Sequence, residues 1–155
     1  RSTLFPYTTL FRSTNRRVVG VLPERRNMIL VTGGAYQGKL EYAVNEFAIK
    51  DDEVFVCAGP EIDLSAKVLT HFEKYVLACI KTGVDAREYI KRNIELLRDK
   101  IIIADDITQG VVPVDSQERA WREETGKCLV LLGSEAERVI RVFCGIAQDI
   151  KGENR

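Results

Sequence analysis

The segment that most constrains this chain is Gly33-Gly34-Ala35-Tyr36-Gln37-Gly38-Lys39-Leu40. It follows an apolar run, Ile29-Leu30-Val31-Thr32, and leads into residues 39–49. There Leu40, Ala43, Val44, Phe47 and Ala48 recur at the spacing of one helical face. The segment fits G-x-x-x-x-G-K between a strand and a helix, which is the context a P-loop requires. Glycines let backbone N–H groups turn inward around phosphate oxygens, and the helix N-terminus adds its positive dipole end. Residues Gly33 through Leu40 are therefore candidate nucleotide-binding residues, with Lys39 as the catalytic cation that reaches the β- and γ-phosphates. One position departs from the pattern. Where a Ser or Thr hydroxyl binds Mg²⁺, this chain has Leu40, which offers no ligand atom. Either other residues hold the metal, or nucleotide binds weakly, or the loop takes a different anion.

The remaining sequence alternates strand and helix patterns. Residues 53–58 read as a strand closed by Gly59-Pro60, and 66–70 as a short third strand. Residues 71–82 place Phe72, Tyr75, Val76, Cys79 and Ile80 on one helical face, ended by Gly83. A further helix spans 85–98, with Ala86, Tyr89, Ile90, Ile94 and Leu97 inward. The Ile101-Ile102-Ile103 run predicts a strand buried on both faces of a parallel sheet. After a loop over 105–114, Asp115 can cap a helix running to about Gly133, with Glu118 completing a capping box. Residues 138–144 read as a long strand, and 147–151 as a shorter one paired to it through Gly145. The expected fold is α/β: a P-loop NTPase-like, doubly wound, mostly parallel sheet with a C-terminal hairpin.

Composition limits the function classes. The chain has 155 residues, one domain's length, of which 45% are hydrophobic and 30% charged. With 23 basic and 23 acidic side chains it carries no net charge, so composition gives no support to nucleic-acid binding. No apolar run approaches the ~18–20 residues of a membrane helix. The zero is nonetheless a sum of unlike parts. Residues 1–27 hold six arginines against Glu24, whereas residues 28–155 hold 17 basic and 22 acidic groups. The first stretch shows no sustained period and carries Pro6 and Pro23. It reads as a transit peptide, as a basic arm, or as sequence foreign to a protein that starts at Met28, its only methionine. The third reading is preferred, and residues 4–13 resemble translated sequencing-adapter read-through. The domain is thus expected to span 28–151, followed by a short tail at 152–155. The four cysteines (Cys57, Cys79, Cys128 and Cys144) lack the spacing of a zinc site, and a reduced cytoplasmic compartment is the default. Cys57 and Cys144 lie in apolar runs, where a thiol is usually a small buried hydrophobe.

Other residues carry weaker signals. Asp105 and Asp106 follow the isoleucine strand, at the end of a strand where ligands bind in open α/β sheets. Both are candidate Mg²⁺ ligands, with Asp106 also a candidate catalytic acid, and turn capping is the competing role. Arg119 and Arg122 lie one turn apart and could clamp phosphate, or could be solvated charge beside Glu123 and Glu124. His71, the single histidine, reads more readily as structural than as functional.

Together these residues resemble a known family. Residues 28–35 with Gly38-Lys39 look like the start of the adenosylcobinamide kinase/adenosylcobinamide-phosphate guanylyltransferase family. Asp105-Asp106-Ile107-Thr108-Gln109-Gly110-Val111-Val112-Pro113 is similar to that family's Asn-Glu loop leading to G-hydrophobic-V-P. Arg119, Trp121, Arg122, Glu123 and Gly126 fall at its R-x-aromatic-R-acid-x-x-G spacing. The resemblance covers most of 28–151. It implies phosphoryl transfer from GTP or ATP to the hydroxyl of adenosylcobinamide, Mg²⁺ as cofactor, and a homotrimer. In many members GMP transfer through a guanylylated histidine follows. The departures are specific. The connection between the second and third strands is short and holds no histidine, Leu129-Val130 stands where the family has Asn-Gln, and Asp106 replaces a glutamate. Guanylyl transfer is therefore expected to be lost. The alternative is a non-catalytic nucleotide-binding or regulatory relative, and a different small P-loop kinase is a third possibility. A chain begun at Met28 is expected to fold cooperatively in circular dichroism. Failure to fold would show that the first 27 residues belong to the domain.

Overall fold

The computed structural model of the chain describes residues 27–152. The readings of the basic stretch and of the tail therefore lie outside the described residues, except at Asn27 and Gly152. In chain order the elements are β1 (Ile29–Gly33), α1 (Lys39–Phe47), β2 (Val54–Val56), β3 (Val68–Thr70), α2 (Phe72–Thr82) and α3 (Ala86–Arg92). They continue with α4 (Ile94–Leu97), β4 (Ile101–Asp105), α5 (Ser116–Glu135), β5 (Arg138–Phe143) and β6 (Ile146–Lys151).

The strands form one six-stranded sheet in the order β2-β3-β4-β1-β5-β6. Every neighbouring pair is parallel except the β5–β6 hairpin. β4 carries the residues expected to be buried on both sides, and it alternates strictly. Ile101 and Ile103 join Val31, Ala43, Val68, Ile140 and Val142 on one face, beneath α1. Ile102 and Ala104 join Leu30, Leu69, Phe72, Tyr75, Cys128 and Leu132 on the other, beneath α2 to α5. Helices on both faces of a mostly parallel sheet make this an α/β fold. The chain leaves β1 toward β2 on one side and crosses from β4 to β5 on the other, so strand order reverses beside β1. In open α/β sheets such a reversal leaves a crevice outside the carboxyl ends of the strands. Here those ends are Gly33 and Asp105, which pair in register. No helix among the described residues is long and apolar enough to cross a membrane.

Three local expectations need correction. The helix predicted over 85–98 is two helices, α3 and α4, parted at Asn93. The Asn93 side-chain amide donates to Tyr89 O at 2.9 Å, the local competition for backbone acceptors that makes Asn a poor helix-interior residue. Asp115 does cap α5, but its carboxylate accepts from the Gln117 N–H, two residues on, in place of the bond of a capping box. Cys144 is not a strand hydrophobe. It and Gly145 form the two-residue hairpin turn with φ of 51° and 75°, and its side chain is exposed. Positive φ at both central positions matches the strand twist and is what a two-residue hairpin needs.

Gly33 is fixed by close approach. A Cβ there would stand 2.2 Å from Val142 O on the neighbouring strand β5, and its φ is 157°. Gly33→Ala is expected to destabilise the fold by about 2 kcal/mol or more, because backbone must move to admit the methyl group. Gly59, where a Cβ meets nothing within 4 Å, is the control: Gly59→Ala should stay within about 0.5 kcal/mol in the same urea titration.

Candidate functional site

The crevice at the carboxyl ends of β1 and β4 is a cleft of about 350 Å³. The loop from Ala35 to Gly38, Thr70, His71, Lys74 and Asp105 are among its walls. Its floor is set by backbone bonding. The Asp106 N–H donates to Gly33 O at 2.8 Å and ties the exit of β4 to the exit of β1. The loop then turns through Tyr36 (φ 59°) and Gly38 (φ 81°), and Gly38 caps α1. Tyr36 is fully exposed. A second brace comes from the opposite end of the chain. The Cys144 N–H donates to Gln37 Oε1 at 2.5 Å, and the Gly145 N–H to Gln37 O at 3.1 Å. The hairpin turn thus holds the glycine loop by both its side chain and its backbone.

Lys39 is the first residue of α1 and is only 6% exposed. Its ammonium donates to Gly34 O at 2.6 Å and pairs with Asp105 Oδ1 at 2.6 Å. It lies back over the loop as a near-buried cation facing the end of β4. Asp105 is held in turn from α2: its N–H donates to Glu73 Oε2 at 3.0 Å. Glu73 is 2% exposed. Its other oxygen, Oε1, lies 3.2 Å from His71 Nδ1, and its backbone oxygen accepts from Trp121 Nε1 on α5 at 2.6 Å. Polar contacts therefore link His71 to Glu73, Glu73 to the Asp105 main chain, and the Asp105 side chain to Lys39. His71 itself sits at the N-cap of α2 with φ 57° and ψ 42°, left-handed backbone that is uncommon outside glycine.

The candidates from sequence separate accordingly. Gly33, Gly34, Ala35, Tyr36, Gln37, Gly38, Lys39, Leu40 and Asp105 come together at one end of the sheet. Asp106 does not act with them. Its Oδ1 accepts from the N–H and hydroxyl of Thr108 at 3.1 and 2.6 Å, and its Oδ2 accepts from Gln109 Nε2 at 3.0 Å. It is a turn-capping aspartate. Arg119 and Arg122 do not line the cleft. Arg122 donates to the carbonyls of Thr108, Gln109, Gly110 and Val111, and Arg119 to those of Pro113 and Val114. The two guanidinium groups hold the 108–114 loop against α5. That loop is what the R-x-aromatic-R spacing serves here.

The expected Mg²⁺ ligands have other partners in this structure. The Leu40 side chain has no oxygen, Asp106 bonds within its own turn, and Asp105 faces the Lys39 ammonium. His71, Glu73 and Asp105 have potential ligand atoms within 4.8 Å of one another. Each already has a partner: Glu73 Oε1 meets His71 Nδ1, Glu73 Oε2 accepts from the Asp105 N–H, and the Asp105 carboxylate pairs with the Lys39 ammonium.

Glu73, Lys74 and the reach of His71 into the cleft were missed in the sequence. The signal was present: Glu73 precedes Val76 and Ile80 at i+3 and i+7, which puts an acid on the apolar face of α2. A carboxylate in that position needs partners, and here it has two, His71 Nδ1 and the Asp105 N–H.

The thiols divide by environment. Burial, reinforced by the Glu73 charge, pushes Cys57 up to about 12, and burial with the Glu124 charge does the same to Cys128. Burial also raises Cys79. Cys144 alone of the four is exposed, at the turn that braces the loop. At pH 8 the native protein should titrate one rapid thiol with a chromogenic disulfide reagent, and all four in denaturant. More than one rapid thiol would contradict the burial of Cys57, Cys79 and Cys128. A comparison of the chain with models of protein families, and with curated protein sequences, gave no match.

Proposed function

We propose that the cleft binds the phosphates of a nucleoside triphosphate and that the Gly33–Leu40 loop is a P-loop. One observation carries the reading. A near-buried lysine at the first position of α1 lies across a glycine turn, at the point where strand order reverses. Phosphate would take the place of the contacts Lys39 makes to Gly34 O and Asp105. The unpaired N–H groups of the first turn of α1 would face the same anion. Asp105 then serves to aim the lysine. Asp105 is the side chain at the cleft that would hold Mg²⁺ or its water, the metal would neutralise phosphate charge, and Leu40 supplies no side-chain ligand.

The resemblance of the 105–126 segment to the adenosylcobinamide kinase/adenosylcobinamide-phosphate guanylyltransferase family gives the reaction class: phosphoryl transfer from GTP or ATP to a corrinoid hydroxyl. Charge developing on the transferred group would be stabilised by Lys39 and the loop amides. Guanylyl transfer is not part of the proposal. The connection from β2 to β3 is only residues 57–67 and contains no histidine. A homotrimer, as the resemblance implies, is the proposed assembly. A second reading, a nucleotide-binding relative without catalysis, is favoured by Leu40 and by the commitment of Asp106 to its turn.

Titration of the full chain with a fluorescent ATP or GTP analogue tests the reading. Binding is expected, and Lys39→Ala should weaken it by roughly 10- to 100-fold, the worth of a charge-assisted hydrogen bond of about 1.5–3 kcal/mol. Mg²⁺ should change the wild-type affinity little, and Leu40→Thr should introduce Mg²⁺ dependence. An affinity indifferent to Lys39→Ala, with folding verified by circular dichroism, would remove the proposal. Phosphorylation of adenosylcobinamide separates the kinase from the non-catalytic relative.

A further inference from the structure

Within that proposed phosphoryl-transfer site, we infer that His71 is the catalytic base: its Nε2 takes the proton of the attacking hydroxyl, and Glu73 is the residue that positions it. The inference rests on the proposed function for the presence of a triphosphate, but its own evidence lies in α2. The Glu73 carboxylate is almost wholly buried and can only accept hydrogen bonds when ionised. Its Oε1 faces His71 Nδ1 at 3.2 Å, so the imidazole proton belongs on Nδ1, which leaves the Nε2 lone pair for the cleft that His71 lines. The carboxylate cannot turn away, because Oε2 accepts from the Asp105 N–H and its own backbone is tied to Trp121.

The backbone supports a role beyond helix capping. His71 makes no side-chain capping bond to α2, although it occupies the N-cap. It holds left-handed φ and ψ of 57° and 42°, which a β-carbon disfavours. Strain of this kind gathers at functional sites, where surrounding structure enforces it. The ring is 39% exposed, open enough to meet a substrate. Other charged groups along the cleft are Lys39, Glu41, Lys74 and Asp105.

The step balances as follows. The acceptor oxygen forms a bond to the γ-phosphorus while the bond from that phosphorus to the β–γ bridging oxygen breaks. The nucleoside diphosphate leaves with that electron pair beside Lys39. The acceptor's proton passes to His71 Nε2, and the imidazolium is stabilised by the Glu73 carboxylate until the proton is released to solvent. Water can stand in for the hydroxyl, which gives an assay that needs no identified acceptor.

The test uses the full chain, with ATP and GTP as probes and water as acceptor. Nucleotide affinity and diphosphate release are measured for wild type, His71→Asn, His71→Gly and Glu73→Gln. Asn and Gly both accept left-handed backbone, so these two variants keep the N-cap. His71→Asn is expected to leave affinity within about twofold and lower turnover on the order of 100-fold, the low end of general-base contributions. Added imidazole should restore part of the His71→Gly turnover, and Glu73→Gln should lower turnover while affinity stays. A purely structural histidine would show neither the split between affinity and turnover nor the rescue. The inference is overturned if nucleotide binds but no turnover depends on His71, if affinity falls together with turnover, or if acid-labile phosphate accumulates on His71. Those outcomes leave the phosphate cradle standing. Absence of nucleotide binding by the wild type would remove the cradle and this inference with it.

Discussion

The cleft end of the molecule depends on the position of β1, which is hydrogen-bonded to β4 on one side and β5 on the other. A strand enclosed in this way brings two foreign backbones against its last residue. At Gly33 the carbonyl of Val142 comes so close that no side chain fits. The chain must then leave the sheet at once, because α1 begins six residues later at Lys39. Glycine is therefore demanded here by the packing of the sheet, whatever the loop binds. The same packing sets Gly33 opposite Asp105 and so delivers a carboxylate to Lys39, the first residue of α1.

Electrostatics at this end is local. The stretch from 28 onward carries more acids than bases, so the field of the whole domain does not attract an anion. The positive charge at this end is a cation brought out of water. Lys39 is held by a carbonyl and a carboxylate, with Glu73 behind the carboxylate and almost fully buried. Burying ions is costly unless every partner is present. The partners come from α1, β4 and α2, with α5 closing the set through Trp121. Rigidity at the cleft is thus a property of four elements together.

The sheet was largely legible in the sequence. The Ile101–Ile103 run, the glycine turn and the amphipathic faces of α1 and α2 follow from periodicity, and periodicity reflects burial directly. What escaped depends on side chains that choose between partners. Asn93 splits a helix because its amide competes for a carbonyl, and apolar spacing carries no sign of that choice. Asp106, Arg119 and Arg122 have the chemistry of a phosphate site and spend it on a loop. Carboxylates and guanidinium groups bind backbone as readily as they bind ligands, so residue type alone cannot distinguish the two uses. Glu73 escaped for the opposite reason. A single acid on an apolar face resembles an exception to the pattern until its partners, 32 and 48 residues away, are seen.

The bonds from the Cys144–Gly145 turn to Gln37 have a consequence for the order in which the molecule is assembled. The glycine loop is made early in synthesis, yet the groups that fix its conformation lie more than 100 residues later. Domains emerge from the ribosome N-terminal part first, so β1 and its loop wait, unbraced, while α2, β4 and α5 are added. Only when β5 has docked beside β1 and the chain has reversed into β6 does the loop gain its last two hydrogen bonds. A nascent chain is therefore unable to present the braced loop before the sheet is complete and the final hairpin has closed.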